Sequence, residues 1–149
     1  MRRWHIKSTC AAALVLLITG VGCNSQPSGD VIKTVPAGGV LTYKGQPLEY
    51  YKLTFYSDDV PRPVGAISDS EGKFMLGTNR EGDGAPSGSY RVSVVYVGPA
   101  SSDPNEGIME FSPPPKPKVN IPKKYHRPET SEIVVSIAPG GDRELKVDL

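Results

Sequence analysis

Three acidic pairs are the residues best placed to do chemistry: Asp58 with Asp59, Asp69 with Glu71, and Glu81 with Asp83, each among turn-forming residues. Calcium takes six to eight oxygen ligands, so two pairs meeting at one end of a fold could share an ion. Asp69, Glu71 and Asp83 are the leading donors for it. The EF-hand spacing is absent, and loop carboxylates more often cap their own turns. Zinc has less to work with. His5 lies in the N-terminal segment, so His126 is the only histidine in the rest of the chain, and a zinc site of ordinary composition needs more nitrogen or sulfur than that. A Ser-His-Asp arrangement would also depend on His126, without the Gly-x-Ser-x-Gly elbow that exposes a nucleophile. A solvated loop residue is the plainer reading of His126.

Two further chemistries suit a surface protein. An internal isopeptide bond would need a lysine such as Lys52 buried with an asparagine and an acid, but Asn79, Asn105 and Asn120 all fall in loops. Sugar binding by stacking could use Tyr43, Tyr50, Tyr56 and Tyr125, since the single tryptophan, Trp4, lies in the N-terminal segment. Tyrosines that alternate along strands more often pack than bind.

Short strands must position these residues. Gly39 to Leu48 is a β-branched and aromatic run ending in a Lys-Gly-Gln-Pro turn. Tyr51, Leu53 and Phe55 alternate with Lys52 and Thr54, as on a strand with one buried face. Val64 to Ser68 and Lys73 to Thr78 read as two more strands, the second turning Phe74 and Leu76 inward. Tyr90, Val92, Val94 and Tyr96 then share a face of the longest one. Ile133 to Ile137 and Leu145 to Leu149 alternate around Pro139-Gly140-Gly141-Asp142, which predicts an antiparallel hairpin. Between Tyr96 and Ile133, residues 98–122 hold a proline-rich loop that cannot lie in central strands. Seven strands without an amphipathic helix predict an all-β antiparallel sandwich.

With 149 residues there is room for one such domain. Its 15 prolines and 16 glycines fit many turns. The net charge of +1 depends on Arg2, Arg3 and Lys7; without them 14 basic residues face 16 acidic ones. No basic face follows, so nucleic acid is not an expected partner.

Residues 1–22 read as a signal peptide, with those three cations ahead of the apolar run from Ala11 to Ile18. Gly20-Val21-Gly22-Cys23 resembles the lipobox of bacterial lipoproteins. That resemblance implies cleavage before Cys23, a diacylglycerol on its thiol and acylation (palmitate or similar) of its amine. Two or three acyl chains, at about 0.8 kcal/mol per buried CH₂, would hold the protein on a membrane. Residues 23–37 form a polar tether ahead of a domain at 38–149. Asn24, rather than aspartate, follows the cysteine and points to the outer membrane. Cys10 would leave with the signal, so the mature fold would carry no disulfide.

Val40 to Leu48, Thr54-Phe55-Tyr56, Asp69-Ser70-Glu71-Gly72-Lys73-Phe74, Gly82 to Val92, Ile121 to Tyr125 and Pro139-Gly140-Gly141 stand in an order that resembles the small lipoproteins of planctomycete-type bacteria. Their domain is related to carboxypeptidase regulatory-like and transthyretin-like β-sandwiches. The resemblance implies a seven-stranded Greek-key sandwich, exported and without catalysis, and brings no catalytic residues. Asp69, Gly72, Phe74, Gly88 and Tyr90 are then turn and core residues, Tyr90 in the manner of a tyrosine corner. The purine-pathway hydrolases of the same sandwich use paired histidines and a Tyr-Arg-Gly-Ser tail, both absent here. The expectation is an envelope protein with a structural or protein-interaction role, no cofactor, and the membrane plus an envelope protein or polysaccharide as partners. The competing expectation is a carbohydrate- or peptide-binding module.

Overall fold

The computed structural model describes residues 31–99 and 115–149. The signal segment 1–22, Cys23, the first part of the tether and most of the 98–122 loop, Asn105 included, lie outside the described residues.

The described chain forms two β-sheets with almost no helix. The first sheet holds β1 (Ala37–Tyr43), β2 (Gln46–Pro47), β5 (Lys73–Met75) and β8 (Asp142–Asp148). The second runs in the order β4 (Val64–Ile67), β3 (Tyr51–Tyr56), β6 (Gly88–Tyr96), β7 (Val134–Ile137). β1 and β2 are joined by Lys44 and Gly45 at φ 51° and 76°, the two positive values of a twist-matched hairpin turn. A 3₁₀ turn at Lys123–His126 and a single helical turn, α1 (Pro128–Ser131), lie beside β6.

Alternation decides the core. Tyr51, Leu53 and Phe55 on β3 and Tyr90, Val92 and Val94 on β6 turn inward, while Lys52 and Arg91 face water. Leu41, Phe74, Leu145 and Val147 meet them from the first sheet. The Phe55 ring joins the layers, 6.2 Å from Phe74 and 6.0 Å from Tyr90 between centroids. Each such side chain contributes about 1.5–3 kcal/mol on burial, which is how a fold with so few strand residues holds together.

Three expectations need correction. Eight strands form rather than seven, because the return arm of the Lys-Gly turn pairs briefly as β2. β5 stops at Met75, since Gly77 leaves to pair with Gly65 and Thr78 is captured by a loop carboxylate. The last two strands are not a hairpin. β7 pairs with β6, whereas β8 crosses to the other sheet and runs parallel to β1, so the sandwich is not wholly antiparallel. Asp142 N–H bonds Pro36 O at 2.8 Å, which catches the chain beside β1 as it leaves the Pro-Gly-Gly turn. Alternation sets which way side chains point but not which strand they pair beside.

Candidate functional site

Two ends of the sandwich carry the polar side chains. At one, the start of β1, the 57–63 and 77–87 loops and the β7–β8 turn come together. Here residues 31–36 are strapped onto the 78–85 loop. The Asn79 side chain pairs with the Ile32 backbone in both directions, accepting from its N–H at 3.0 Å and donating to its carbonyl at 2.8 Å. Val35 and Ala85 exchange backbone bonds of 2.8 and 3.1 Å. Gly84 makes that approach feasible: it sits at φ 92°, and a Cβ there would stand 2.0 Å from the Val35 carbonyl oxygen.

Asp83 shapes this loop. Its carboxylate accepts from the backbone N–H of Thr78 at 2.7 Å, of Asn79 at 3.1 Å and of Arg80 at 3.1 Å. Burial works against the charge, but the bonds from Thr78, Asn79 and Arg80 outweigh it and hold the carboxyl below its ordinary range.

The calcium candidates do not gather. Asp69 caps its own turn, with Oδ1 accepting from the N–H of Glu71 and of Lys73, both at 2.9 Å. Glu71 pairs with Lys73 at 2.5 Å. Asp58 meets Arg91 at 3.2 Å at the strap end, the opposite end from Asp69. Among the described residues no three His, Cys, Asp or Glu side chains come together as a metal site. His126 is exposed at the end of the 3₁₀ turn. Lys52 is exposed on β3 and the Asn79 amide is spent on Ile32, so they make no isopeptide set.

The turn and core residues sit as follows. Gly72 takes φ 73° with Leu41 O where its Cβ would be, at 2.5 Å, and Phe74 follows into the core. Gly88 opens β6, and the Tyr90 hydroxyl donates to Pro86 O at 2.7 Å. Burial, and then the charge of Asp59, push the Tyr90 phenol up.

The other end holds what the sequence reading overlooked. Tyr50 and Tyr51 oppose the single residue Ser68, a β-bulge in which Tyr50 N–H bonds Ser68 O at 3.0 Å and Ser68 N–H bonds Tyr51 O at 2.9 Å. Tyr50, first in the bulge, lies at φ 61°, where glycine is usual. The Tyr51 ring meets Tyr96 edge-on at 5.2 Å, and its hydroxyl donates to Val119 O. Burial, with Tyr96 adding to it, raises the Tyr51 phenol. The Lys118 ammonium lies 2.6 Å from the Glu49 carboxylate, which raises its own titration. This pair divides two hollows, of about 340 Å³ beside Tyr50 and Tyr96 and about 270 Å³ beside Tyr51 and Gln46. Of the proposed stacking tyrosines, only Tyr50 lines either hollow. The missed signal was charge: from Pro115 to Pro128 there are five Lys and Arg and no acid. A wider trough of about 850 Å³ crosses the outside of the first sheet over Val40 and Met75, but its walls alternate in charge and choose no ligand class.

No known protein family, curated protein or solved structure matches the chain.

Proposed function

We propose that this is an exported, lipid-anchored envelope protein whose non-catalytic domain holds a recognition end away from the membrane. The strap is the observation that carries the reading. Ile32 and Val35 are fixed at one end of the sandwich, and seven residues separate Cys23 from Val31, a reach of at most about 30 Å. An acylated Cys23 would therefore keep the 57–63, 78–85 and 138–141 end near the lipid and present the Tyr50 end outward. The outer membrane is the compartment in this reading, with an envelope protein or polysaccharide as partner. The carboxylates of Asp69 and Asp83 support a non-catalytic role, since both are spent on their own backbone. The two packed sheets support a Greek-key sandwich of the transthyretin-like and carboxypeptidase regulatory-like kind.

The test is membrane fractionation of the full chain against Cys23→Ser, with mass spectrometry of the mature N-terminus. Acylation at residue 23 and release of the variant into the soluble fraction are expected. A variant that stays with the membrane overturns the anchor.

A further inference from the structure

We propose that the 340 Å³ hollow beside Tyr50 is a binding site for an acidic saccharide, a short chain of sugar rings bearing carboxylates. It gives the recognition end a ligand class and rests on the reading above only for its location. Tyr50, Tyr96, Glu49, Lys116, Lys118 and Pro115 line it, and its size falls at the small end of ordinary ligand pockets, about 300–1,000 Å³.

The chemistry is divided among these groups. Two half-buried phenols and a proline ring offer flat apolar surface, which suits the C–H face of a pyranose and leaves phenol hydroxyls for its polar rim. Lys118 spends one of its three donors on Glu49. Among the described residues Lys116 forms no ion pair, and the residue is exposed. Among the described residues two ammoniums and one carboxylate line the cavity, a balance that suits a ligand bringing negative charge. Glu49 can accept from a sugar hydroxyl while it steers Lys118.

The bulge supplies the second line of evidence. A non-glycine residue in the left-handed region costs about 1–2 kcal/mol, and bulges re-aim side chains beside functional sites. The clamp on the returning chain, Glu49 to Lys118 and Tyr51 to Val119, makes no use of the Tyr50 ring. The ring at this strained position is therefore free to serve the hollow it lines. An acidic peptide fits less well, because β3 is paired on both sides, by β4 and β6, and offers no free edge to a peptide main chain.

The experiment is calorimetric titration of the full lipidated chain in detergent at low salt. A galacturonic-acid trisaccharide is the probe, with the neutral galactose trisaccharide and hexaglutamate as controls. Binding of the acidic sugar in the range of about 0.1–1 mM is expected, weakening as salt is added. Lys116→Gln should weaken it about fivefold. Tyr50→Gly should weaken it at least as much while the folding transition holds or rises, because glycine relieves the strained φ. No binding by the natural chain, equal binding of the neutral sugar or of hexaglutamate, or either variant binding unchanged overturns the proposal. Membrane association of Cys23→Ser is read separately, so failure here leaves the anchor standing.

Discussion

Replacing Asp83 by asparagine tests how the strap loop is held. The carboxylate takes three backbone N–H groups at 2.7, 3.1 and 3.1 Å. Asparagine keeps one acceptor oxygen and nearly the same shape but sets an NH₂ against the N–H groups that Oδ2 serves, as a protonated carboxyl would set its O–H, so the change mimics the discharged acid. A neutral hydrogen bond is worth about 1 kcal/mol net, and ionisation of the acceptor roughly doubles it. Three such increments, discounted for a site open to water, leave about 1–2 kcal/mol. At pH 7 that lowers Tm by roughly 4–10 °C. The sign against pH follows from the depressed carboxyl. A group whose folded pKa lies below its unfolded one stabilises the fold above the unfolded value and loses that contribution as pH falls through the folded one. The gap between natural chain and variant should therefore be full at pH 7 and close between about pH 5 and pH 2. Guanidinium unfolding at both ends of that range measures it, and amide exchange at Thr78, Asn79 and Arg80 should quicken in the variant. A gap of equal size at pH 7 and pH 2 would refute the charged-cap reasoning.

Gly39→Ala should cost more than about 4 kcal/mol or abolish folding, because the new Cβ would stand 1.9 Å from Leu145 O and prise β8 from β1. Gly140→Ala, with open space around it, is the control and should change stability by under about 1 kcal/mol in the same denaturation series. Tyr90→Phe removes only the hydroxyl that serves Pro86 O. It should cost about 1 kcal/mol by thermal melting, with no change in the core.

Much of the fold was legible because burial here follows a period of two. Tyr51, Leu53 and Phe55 could be placed inward from spacing alone, and so could Tyr90, Val92 and Val94. Partnership was not legible. β8 alternates as well for a hairpin with β7 as for its place beside β1, where it pairs from Asp142 to Asp148 after the backbone bond from Asp142 to Pro36. The acidic pairs were visible as pairs, but a carboxylate that binds an ion and one that caps its own turn look alike until the turn is built. The strap was beyond sequence reasoning, because a polar stretch such as 23–37 has no periodicity to reveal that Asn79 reaches 47 residues back to the Ile32 backbone.

The two ends differ in how their polar groups are used. At the strap end Asp83 and Asn79 are consumed by backbone, and Gly84 admits a close approach without strain. Glycine stands at positive φ at 72, 82, 84 and 141, whereas Lys44, Tyr50 and Glu132 hold such a φ with a side chain in place. At residue 50 the same need is met by tyrosine. The bulge needs only the backbone of residue 50, and the chain clamp uses Glu49 and Tyr51, its two neighbours. Glycine at 50 would give the fold everything it takes from that position at less cost. The phenol at residue 50, a position that carries about 1–2 kcal/mol of strain, is therefore left to the hollow it lines.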